Sequence, residues 1–173
     1  TGLTQVGNKI YVADNFNGKI DVIDSNWTKL TGYDFINPDL PPKFYPFNIK
    51  NINGYLVVTY VKKDENEIEY NTGFVSVFDY SGNYQRSIHS ECFQSPYGIT
   101  SQLYYECQGK CPPITCETLL IANHNNGQIF RFIWKTGQQI ENLNAHVNKI
   151  WSIDEKKKKN SFIYTADFVV GEL

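Results

Sequence analysis

The chain has 173 residues, of which 41% are hydrophobic, 15% aromatic and 20% charged, a composition typical of a folded globular protein. Its 16 basic and 18 acidic side chains give a net charge of -2, so it lacks the basic character of proteins that bind duplex nucleic acid or anionic membranes. No apolar run approaches the roughly 20 residues of a membrane-spanning helix. We therefore expect a folded domain that neither binds nucleic acid nor inserts into a membrane.

A strand-forming segment recurs along the chain with a period of roughly fifty residues, which is typical of repeat architectures. Each copy carries a glycine followed by alternating hydrophobic residues. The complete copies are NGKIDVID at Gly18, TGFVSVFD at Gly73 and NGQIFRFI at Gly127, and a fourth, FIYTADFVVGEL, contains Gly171. The repeats predicted from these copies are about residues 1–45, 46–95 and 96–149, with a partial repeat at residues 150–173.

Within the first repeat the hydrophobic residues alternate, as expected of half-buried strands. Residues 10–13 form one alternating run and residues 20–23 the next, and Asn17-Gly18 between them favours a hairpin turn because both residues tolerate positive φ. In the second repeat the same connection is KKDENEIEYNTG, residues 62–73, whose charges predict a surface loop. No segment keeps the period of a helix, so we predict an all-β chain with four antiparallel strands in each repeat.

The first strand of each repeat carries a second motif, which recurs in phase with the glycine segment. A small or polar residue precedes Leu or Ile in all four repeats, at Gly2, Asn48, Gly98 and Ser152. Four-stranded sheets that repeat along a chain stack as the blades of a propeller. The first strands would line its channel, where backbones converge and small residues fit. The sequence therefore predicts a β-propeller.

The segment YVADNFNGKIDVID at residues 11–24 resembles the repeat core of NHL-type β-propellers. The segments FYPFNIKNINGYLVVTYVKKD, GFVSVFDYSGNYQRSI and SPYGIT are similar to a largely uncharacterised, mostly bacterial family of six-bladed propellers. This resemblance covers nearly the whole chain and is most specific at residues 45–88. It implies a ring of six blades, of which this chain holds three complete four-stranded blades and part of a fourth. The remaining blades would come from the same chain or from neighbouring subunits.

The cysteines are concentrated where the chain departs from that family's pattern, in an insertion at residues 103–117. The four are Cys92, Cys107, Cys111 and Cys116. Their spacing is loose for structural zinc, which favours paired C-x2-C motifs. Two disulfides of unknown pairing are the favoured interpretation, with free thiols and a metal site as the alternatives. Disulfides would indicate an oxidising location or an assembled particle.

Acidic and amide residues recur after the second strand of several repeats, at Asp14, Asn123 and Asp167. Together with Asn48 on a first strand, they could hold a cation such as Ca²⁺, as in lactonase-type propellers. The favoured alternative is that each caps the adjacent turn through its side-chain oxygen. His124 follows Asn123 and is expected on a surface turn. No nucleophile elbow or phosphate-binding glycine loop is present, so no catalytic residue is predicted.

Surface recognition is the function that the remaining sequence features favour. Asn26-Trp27-Thr28 is a glycosylation sequon on a predicted turn. Aromatic residues in or near loops form a candidate binding surface, since loops carry binding groups. The residues assigned to this surface are Trp27, Tyr45, Tyr104 and Tyr105.

The sequence-based hypothesis is a non-enzymatic β-propeller scaffold that needs no cofactor and binds a protein or a glycan. We expect it in an extracellular, cell-surface or virion-surface assembly. The alternative is a metal-dependent propeller hydrolase of the lactonase or gluconolactonase kind, with a cation in the central channel.

Overall fold

The computed structural model describes residues 2–64, 67–106, 114–144, 152–155 and 163–166. All helices and strands assigned in these ranges are β-strands, which form three four-stranded antiparallel sheets and one two-stranded sheet. The predicted all-β chain with four-stranded antiparallel sheets is therefore confirmed. The chain falls into two compact units, Thr1–Tyr97 and Gly98–Leu173. The described residues include no helix of the length and hydrophobicity needed to cross a membrane.

The first sheet of the N-terminal unit places its strands side by side in chain order. They are β1 (Leu3–Val6), β2 (Lys9–Asp14), β3 (Lys19–Ile23) and β4 (Lys29–Leu30). The predicted Asn17-Gly18 hairpin is confirmed, because β2 and β3 pair from Asp14 opposite Lys19 and Gly18 has a φ of 72°. Each strand of this sheet thus pairs only with its neighbours in sequence.

The second sheet repeats this order with longer strands. They are β5 (Phe44–Ile52), β6 (Tyr55–Asp64), β7 (Glu67–Phe78) and β8 (Tyr84–Ile88). The predicted surface loop at residues 62–73 is wrong, since β6 and β7 stay paired as far as Asp64 opposite Glu67. Backbone pairing does not require apolar side chains, and opposite charges across strands stabilise it. Lys62 and Glu69 are such a pair, 2.7 Å apart, so this polar segment is an extended two-stranded ribbon.

The core of the N-terminal unit lies between its two sheets. It contains Tyr11, Ala13, Ile20, Val22, Ile49, Leu56, Val58, Tyr60 and Phe78, with Phe35 from the connection between the sheets. The Phe35 ring meets Tyr11 and Phe78 edge-on, with ring centroids 6.1 and 5.4 Å apart. The connection at residues 31–43 therefore acts as a wedge that fills the space between the two sheets.

Polar side chains fix this wedge to the second sheet. Asn37 is buried and its Nδ2 donates to Ser76 Oγ at 2.8 Å and to Ser87 Oγ at 3.1 Å. Tyr84 donates from its hydroxyl to Asp39 Oδ2 at 2.8 Å. Because buried polar groups need partners, these contacts determine where the connection lies across β7 and β8.

The third sheet contains β9 (Pro96–Glu106), β10 (Ile114–Asn123), β11 (Gln128–Ile133) and β12 (Gln139–Asn144). Within the C-terminal unit, Arg131 on β11 is only 6% exposed. Its guanidinium donates to Glu141 Oε2 and Gln102 Oε1, both at 2.7 Å, and to Thr118 Oγ1 at 3.2 Å. One polar residue from each strand therefore joins a row that crosses this sheet.

A pair of short antiparallel strands follows, β13 (Ser152–Glu155) and β14 (Ile163–Ala166). The other residues of the predicted partial repeat at residues 150–173 lie outside the described ranges. Strands β9 and β10 extend from either side into the predicted insertion at residues 103–117. Residues 107–113 of that insertion also lie outside the described part of the chain.

Candidate functional site

Several loops and strand ends of the N-terminal unit meet at one end, which we call the ribbon end because the β6–β7 ribbon projects from it. In a sheet with strands in chain order, the second turn lies at the same end as the start of the first strand. Asn15 in the β2–β3 turn accordingly donates from Nδ2 to the Pro46 carbonyl at 2.9 Å. Lys63 on β6 donates from Nζ to the Asn15 carbonyl at 2.8 Å.

A cavity of about 380 Å³ lies at the ribbon end of the second sheet. It is lined by Gly73, Phe74, Ile88, His89, Ser90, Glu91 and Phe93. The pairing of Val75 with Ile88 brings together the middle of β7 and the segment that follows β8. The cavity therefore depends on strand pairing, which explains why it could not be recognised from residues that are apart in sequence.

The cavity combines an apolar floor with polar groups at its mouth. Ile88 and Phe93 are each only 2% exposed, whereas His89 and Glu91 are exposed. The His89 imidazole meets the Phe74 ring at a centroid distance of 5.5 Å and an interplanar angle of 89°. Small-molecule sites are commonly concave, mostly apolar and equipped with a few polar groups, and this cavity has that character.

Asp14 serves as a turn cap. Its Oδ1 accepts from the Asn17 backbone N–H at 3.1 Å and its Oδ2 from Asn17 Nδ2 at 2.6 Å. These hydrogen bonds lower the pKa of Asp14, because they favour the ionised carboxylate. The favoured prediction that this residue caps the adjacent turn is confirmed.

The other residues of the predicted cation site are each described by their own surroundings. Asn48 donates from Nδ2 to the Tyr97 carbonyl at 2.7 Å, while Asn123 is fully buried and Asp167 lies outside the described residues. In the described ranges, no three His, Cys, Asp or Glu side chains are grouped as metal ligands would be. The four-residue calcium site remains a prediction, since Asp167 is one of its members.

The predicted aromatic surface is divided among different environments. Trp27 is 79% exposed. Tyr45 instead lies at the ribbon end beneath the ammonium group of Lys63, which is 5.0 Å from its ring centroid, and its ring also packs against Gly18. Tyr104 and Tyr105 are on β9, but their side chains are outside the description. Trp27 is therefore the exposed member of the set that the structure describes in full.

Asn26 and Trp27 lie in the β3–β4 turn, which an aspartate organises. Asp24 Oδ1 accepts from the backbone N–H groups of Asn26 at 2.9 Å and Thr28 at 2.8 Å. Asn26 is exposed, so the sequon stands on an accessible turn. Its glycosylation remains a prediction.

The cysteine and histidine predictions have different outcomes. Cys92 is exposed and Cys116 is half-buried, whereas Cys107 and Cys111 lie outside the described residues, so the disulfide prediction is not tested. The prediction of a surface position for His124 is wrong, because this residue is only 3% exposed. It directly follows the fully buried end of β10, and the burial of that strand continues into the turn.

Comparison of the sequence identifies three similar proteins of Acanthamoeba polyphaga mimivirus, all uncharacterized. They are 33%, 33% and 30% identical in alignments of 145, 140 and 139 positions, which cover 76%, 74% and 75% of the chain. The matched regions make up 34%, 35% and 25% of these relatives. The chain therefore spans about a third or less of the length of the curated relatives it matches.

Two solved structures share the fold at low sequence identity. The computationally designed Ika8 protein has a TM-score of 0.52 and 17% identity, and the match covers 95% of the chain and 42% of that protein. The exo-β-1,3-galactanase of Phanerochaete chrysosporium, crystallised with β-1,3-galactotriose, has a TM-score of 0.54 and 14% identity, with coverages of 98% and 43%. No family model matches the chain. The chain thus combines an all-β fold with sequence similarity to uncharacterised viral proteins.

Proposed function

We propose that the chain is part of an NHL-like, six-bladed β-propeller in which each four-stranded sheet is a blade, and that this propeller is a binding module. Its ligand is a glycan or a protein, and the ribbon-end cavity favours a glycan. No catalytic turnover is required of it. The observation that supports the propeller most directly is the close approach of successive first strands.

These first strands meet at the positions where the sequence has small or amide residues. A Cβ atom on Gly2 before β1 would overlap the side-chain oxygen of Asn48 on β5. The other side of the Asn48 amide donates to the Tyr97 carbonyl on β9 at 2.7 Å. A radial arrangement of sheets brings first strands together in this way around an axis, so these contacts support a propeller.

The cavity supports recognition of a sugar. It offers apolar carbon surface beside an exposed carboxylate and an exposed imidazole, and sugars likewise present both C–H surfaces and hydroxyl groups. The galactanase that shares the fold was crystallised with β-1,3-galactotriose, which makes this trisaccharide a suitable first probe. The similarity concerns the fold, so the choice of probe is part of the proposal.

A surface location in a viral assembly is the cellular setting that we propose. The similar proteins belong to a giant virus of amoebae, and an exposed sequon with a neighbouring exposed tryptophan would suit an outward-facing protein. Mass spectrometry of purified particles should then detect the protein, and protease treatment of intact particles should remove it. Detection in infected-cell extracts together with absence from particles would contradict this location.

The binding function is tested by presenting the purified protein to an array of glycans that includes β-1,3-galactotriose. We expect retention of one or more glycans, and chromatography of the bound sugar should show no cleavage. Release of shorter sugars, lost on substitution of channel residues, would show an enzyme instead. Failure to retain any glycan on the array would contradict the glycan part of the proposal.

A further inference from the structure

We propose that the cavity between β7 and the segment following β8 is a subsite for one neutral pyranose residue of a glycan. This inference rests on the proposed binding function and assigns it to specific residues. The cavity is lined mainly by carbon, and its exposed polar side chains are concentrated on one short segment, residues 89–91. Such a division suits a sugar ring, which has a C–H face and hydroxyl groups around its edge.

The floor of the cavity supplies surface for the C–H face. Ile88 and Phe93 are buried residues that line the cavity, and Phe74 lines it with them. Phe74 also contacts the Phe44 ring at a centroid distance of 6.0 Å. Because these side chains are fixed by packing, a ligand would bind without first ordering them, which lowers the entropic cost of association.

The mouth supplies hydrogen-bonding groups for the hydroxyls. In the part of the chain that the structure describes, the Glu91 carboxylate is exposed and forms no ion pair. It can therefore accept from sugar hydroxyls, and hydrogen bonds to charged groups are the stronger kind. The His89 ring makes a T-shaped contact with Phe74, and its ring nitrogens add further hydrogen-bonding groups at the mouth.

The charge of the lining indicates a neutral ligand. Glu91 is its only carboxylate, His89 is its only nitrogen base, and no Lys or Arg belongs to the described lining. A phosphate or sulfate group would meet the Glu91 carboxylate without a compensating cation, which is unfavourable. An uncharged polyhydroxylated ring has no such conflict.

A glycine on β7 lets the segment after β8 pack closely beside the cavity. Gly73 on β7 lies so close to the Pro96 ring that a Cβ atom there would overlap it, and Phe93 is the next neighbour. The Ser95 backbone N–H donates to the Thr72 carbonyl at 3.1 Å. These contacts hold residues 93–96 against β7 beside the cavity.

The subsite is tested by calorimetric titration of the protein with D-galactose and β-1,3-galactotriose. Glu91→Ala and His89→Ala are exposed substitutions that should leave the fold intact, and circular dichroism would verify this. Asp34→Ala, at an exposed carboxylate on the β4–β5 connection, and Phe16→Ala, at an aromatic residue 85% exposed, are the matched controls. We expect affinity for the trisaccharide to fall about tenfold or more in Glu91→Ala, since a charge-assisted hydrogen bond is lost, and to be unchanged in both controls.

The results distinguish a failure of the proposed subsite from a failure of the proposed binding function. If the trisaccharide binds but neither cavity variant weakens it, the sugar site lies elsewhere, so the subsite is overturned while the binding module stands. If no sugar binds but indole or phenol shifts the NMR signals of residues 88–93, the cavity receives an aromatic side chain of a protein partner. The pyranose assignment would then be wrong, and the module would bind protein.

Discussion

Trp27 has a φ of 61° in the turn between β3 and β4, where the corresponding turns of the other two four-stranded sheets have Gly82 and Gly137 with φ values of 89° and 72°. This left-handed conformation costs a residue with a Cβ atom roughly 1–2 kcal/mol. The Trp27 side chain is 79% exposed, so it recovers little by burial. A strained backbone and an exposed indole at one position are what the proposed binding surface would require of a contact residue.

Replacing Trp27 with glycine should therefore stabilise the protein. We expect a gain of about 0.5–1 kcal/mol in the free energy of unfolding, after the conformational entropy cost of glycine is subtracted from the relief of strain. Urea denaturation would measure it. Trp27→Ala is the matched control, because alanine keeps the strain and should give no such gain. Equal stabilisation by both variants would show that the backbone conformation is not the cause.

Asp79 should make folding stability depend on pH. Burial opposes its ionisation, but hydrogen bonds from Asn83, Ser81 and Gly82 outweigh this and hold the pKa of Asp79 below its usual value. The folded state then binds protons less readily than the unfolded state. The stabilisation that Asp79 gives the folded state is present above the unfolded pKa, near 4. It is lost as the pH falls through the lower folded pKa.

Asp79→Asn should reduce this acid dependence. We expect wild-type stability to decrease as the pH falls below about 5 and through the lowered folded pKa of Asp79, and the variant to show a shallower decrease, because one depressed carboxylate has been removed. Urea unfolding at several pH values would give both slopes. Asp34→Asn, at an exposed carboxylate, is the comparison variant. An unchanged slope in Asp79→Asn would contradict the assignment.

The sequence could predict single residues only where the chemistry is local. Asp14 was recognised as a turn cap because its partner, Asn17, is three residues away. The strain at Trp27 could not be recognised, since φ is not encoded by residue type and was revealed by comparison with Gly82 and Gly137. The cavity residues come from β7, from the end of β8 and from the segment that follows it, so their proximity depends on the pairing of β7 with β8.

At the scale of elements, the third sheet replaces an apolar core position with a buried cation. Counted from the repeat glycine, Arg131 on β11 corresponds to Val22 on β3 and Val77 on β7, both of which are buried. Arg131 is satisfied by Glu141, Gln102 and Thr118. Removing one member of a buried charged network leaves its partners without hydrogen bonds, and the resulting loss of folding free energy is large.

Arg131→Met should destabilise the protein by about 2–4 kcal/mol, a figure reduced from the usual range for buried pairs because Glu141 is partly exposed. Equilibrium unfolding by urea would measure the change. Lys29→Met is the comparison, because Lys29 pairs with Asp21 at a similar distance of 2.7 Å but its side chain is 53% exposed. It should change stability much less than Arg131→Met does, because solvent screens the exposed pair. Similar losses in both variants would contradict the special role of burial at Arg131.

Element prediction succeeded where hydrophobic alternation and turn residues agreed. The first sheet was recognised from the alternation at residues 10–13 and 20–23 and from the turn at Gly18. It failed at residues 62–73, where charged side chains suggested a loop although β6 and β7 continue as a ribbon. Polar residues indicate that a segment is exposed to solvent, but they do not distinguish an exposed two-stranded ribbon from a loop.

At the scale of the whole molecule, the propeller proposal depends on what completes the set of sheets. The described ranges contain three four-stranded sheets and one two-stranded sheet, while the curated relatives are about three to four times the length of the matched region. A polypeptide of that length could supply further sheets of the same kind. The resemblance to six-bladed propellers leads us to expect six such sheets.

Cryo-electron microscopy of the protein in its native assembly should therefore show a closed ring of six four-stranded sheets. A closed ring is expected because each sheet needs a neighbour on both faces. The six sheets would come from one polypeptide or from several copies. Asn48 should lie beside the channel. A different number of sheets, or an open array, would contradict the six-bladed proposal while leaving the described sheets unaffected.

The chain-order arrangement of strands has a consequence for how the protein is made. In each of the three four-stranded sheets, every strand pairs with the one that precedes or follows it. Contacts between strands therefore have a low contact order, which is associated with rapid folding. The first sheet can form as soon as its fourth strand leaves the ribosome, before the later sheets have been synthesised. The wedge at residues 31–43 is the exception, because Phe35 and Asn37 contact residues of β7 and β8, which are synthesised later. Docking of the first two sheets should therefore be the slower step.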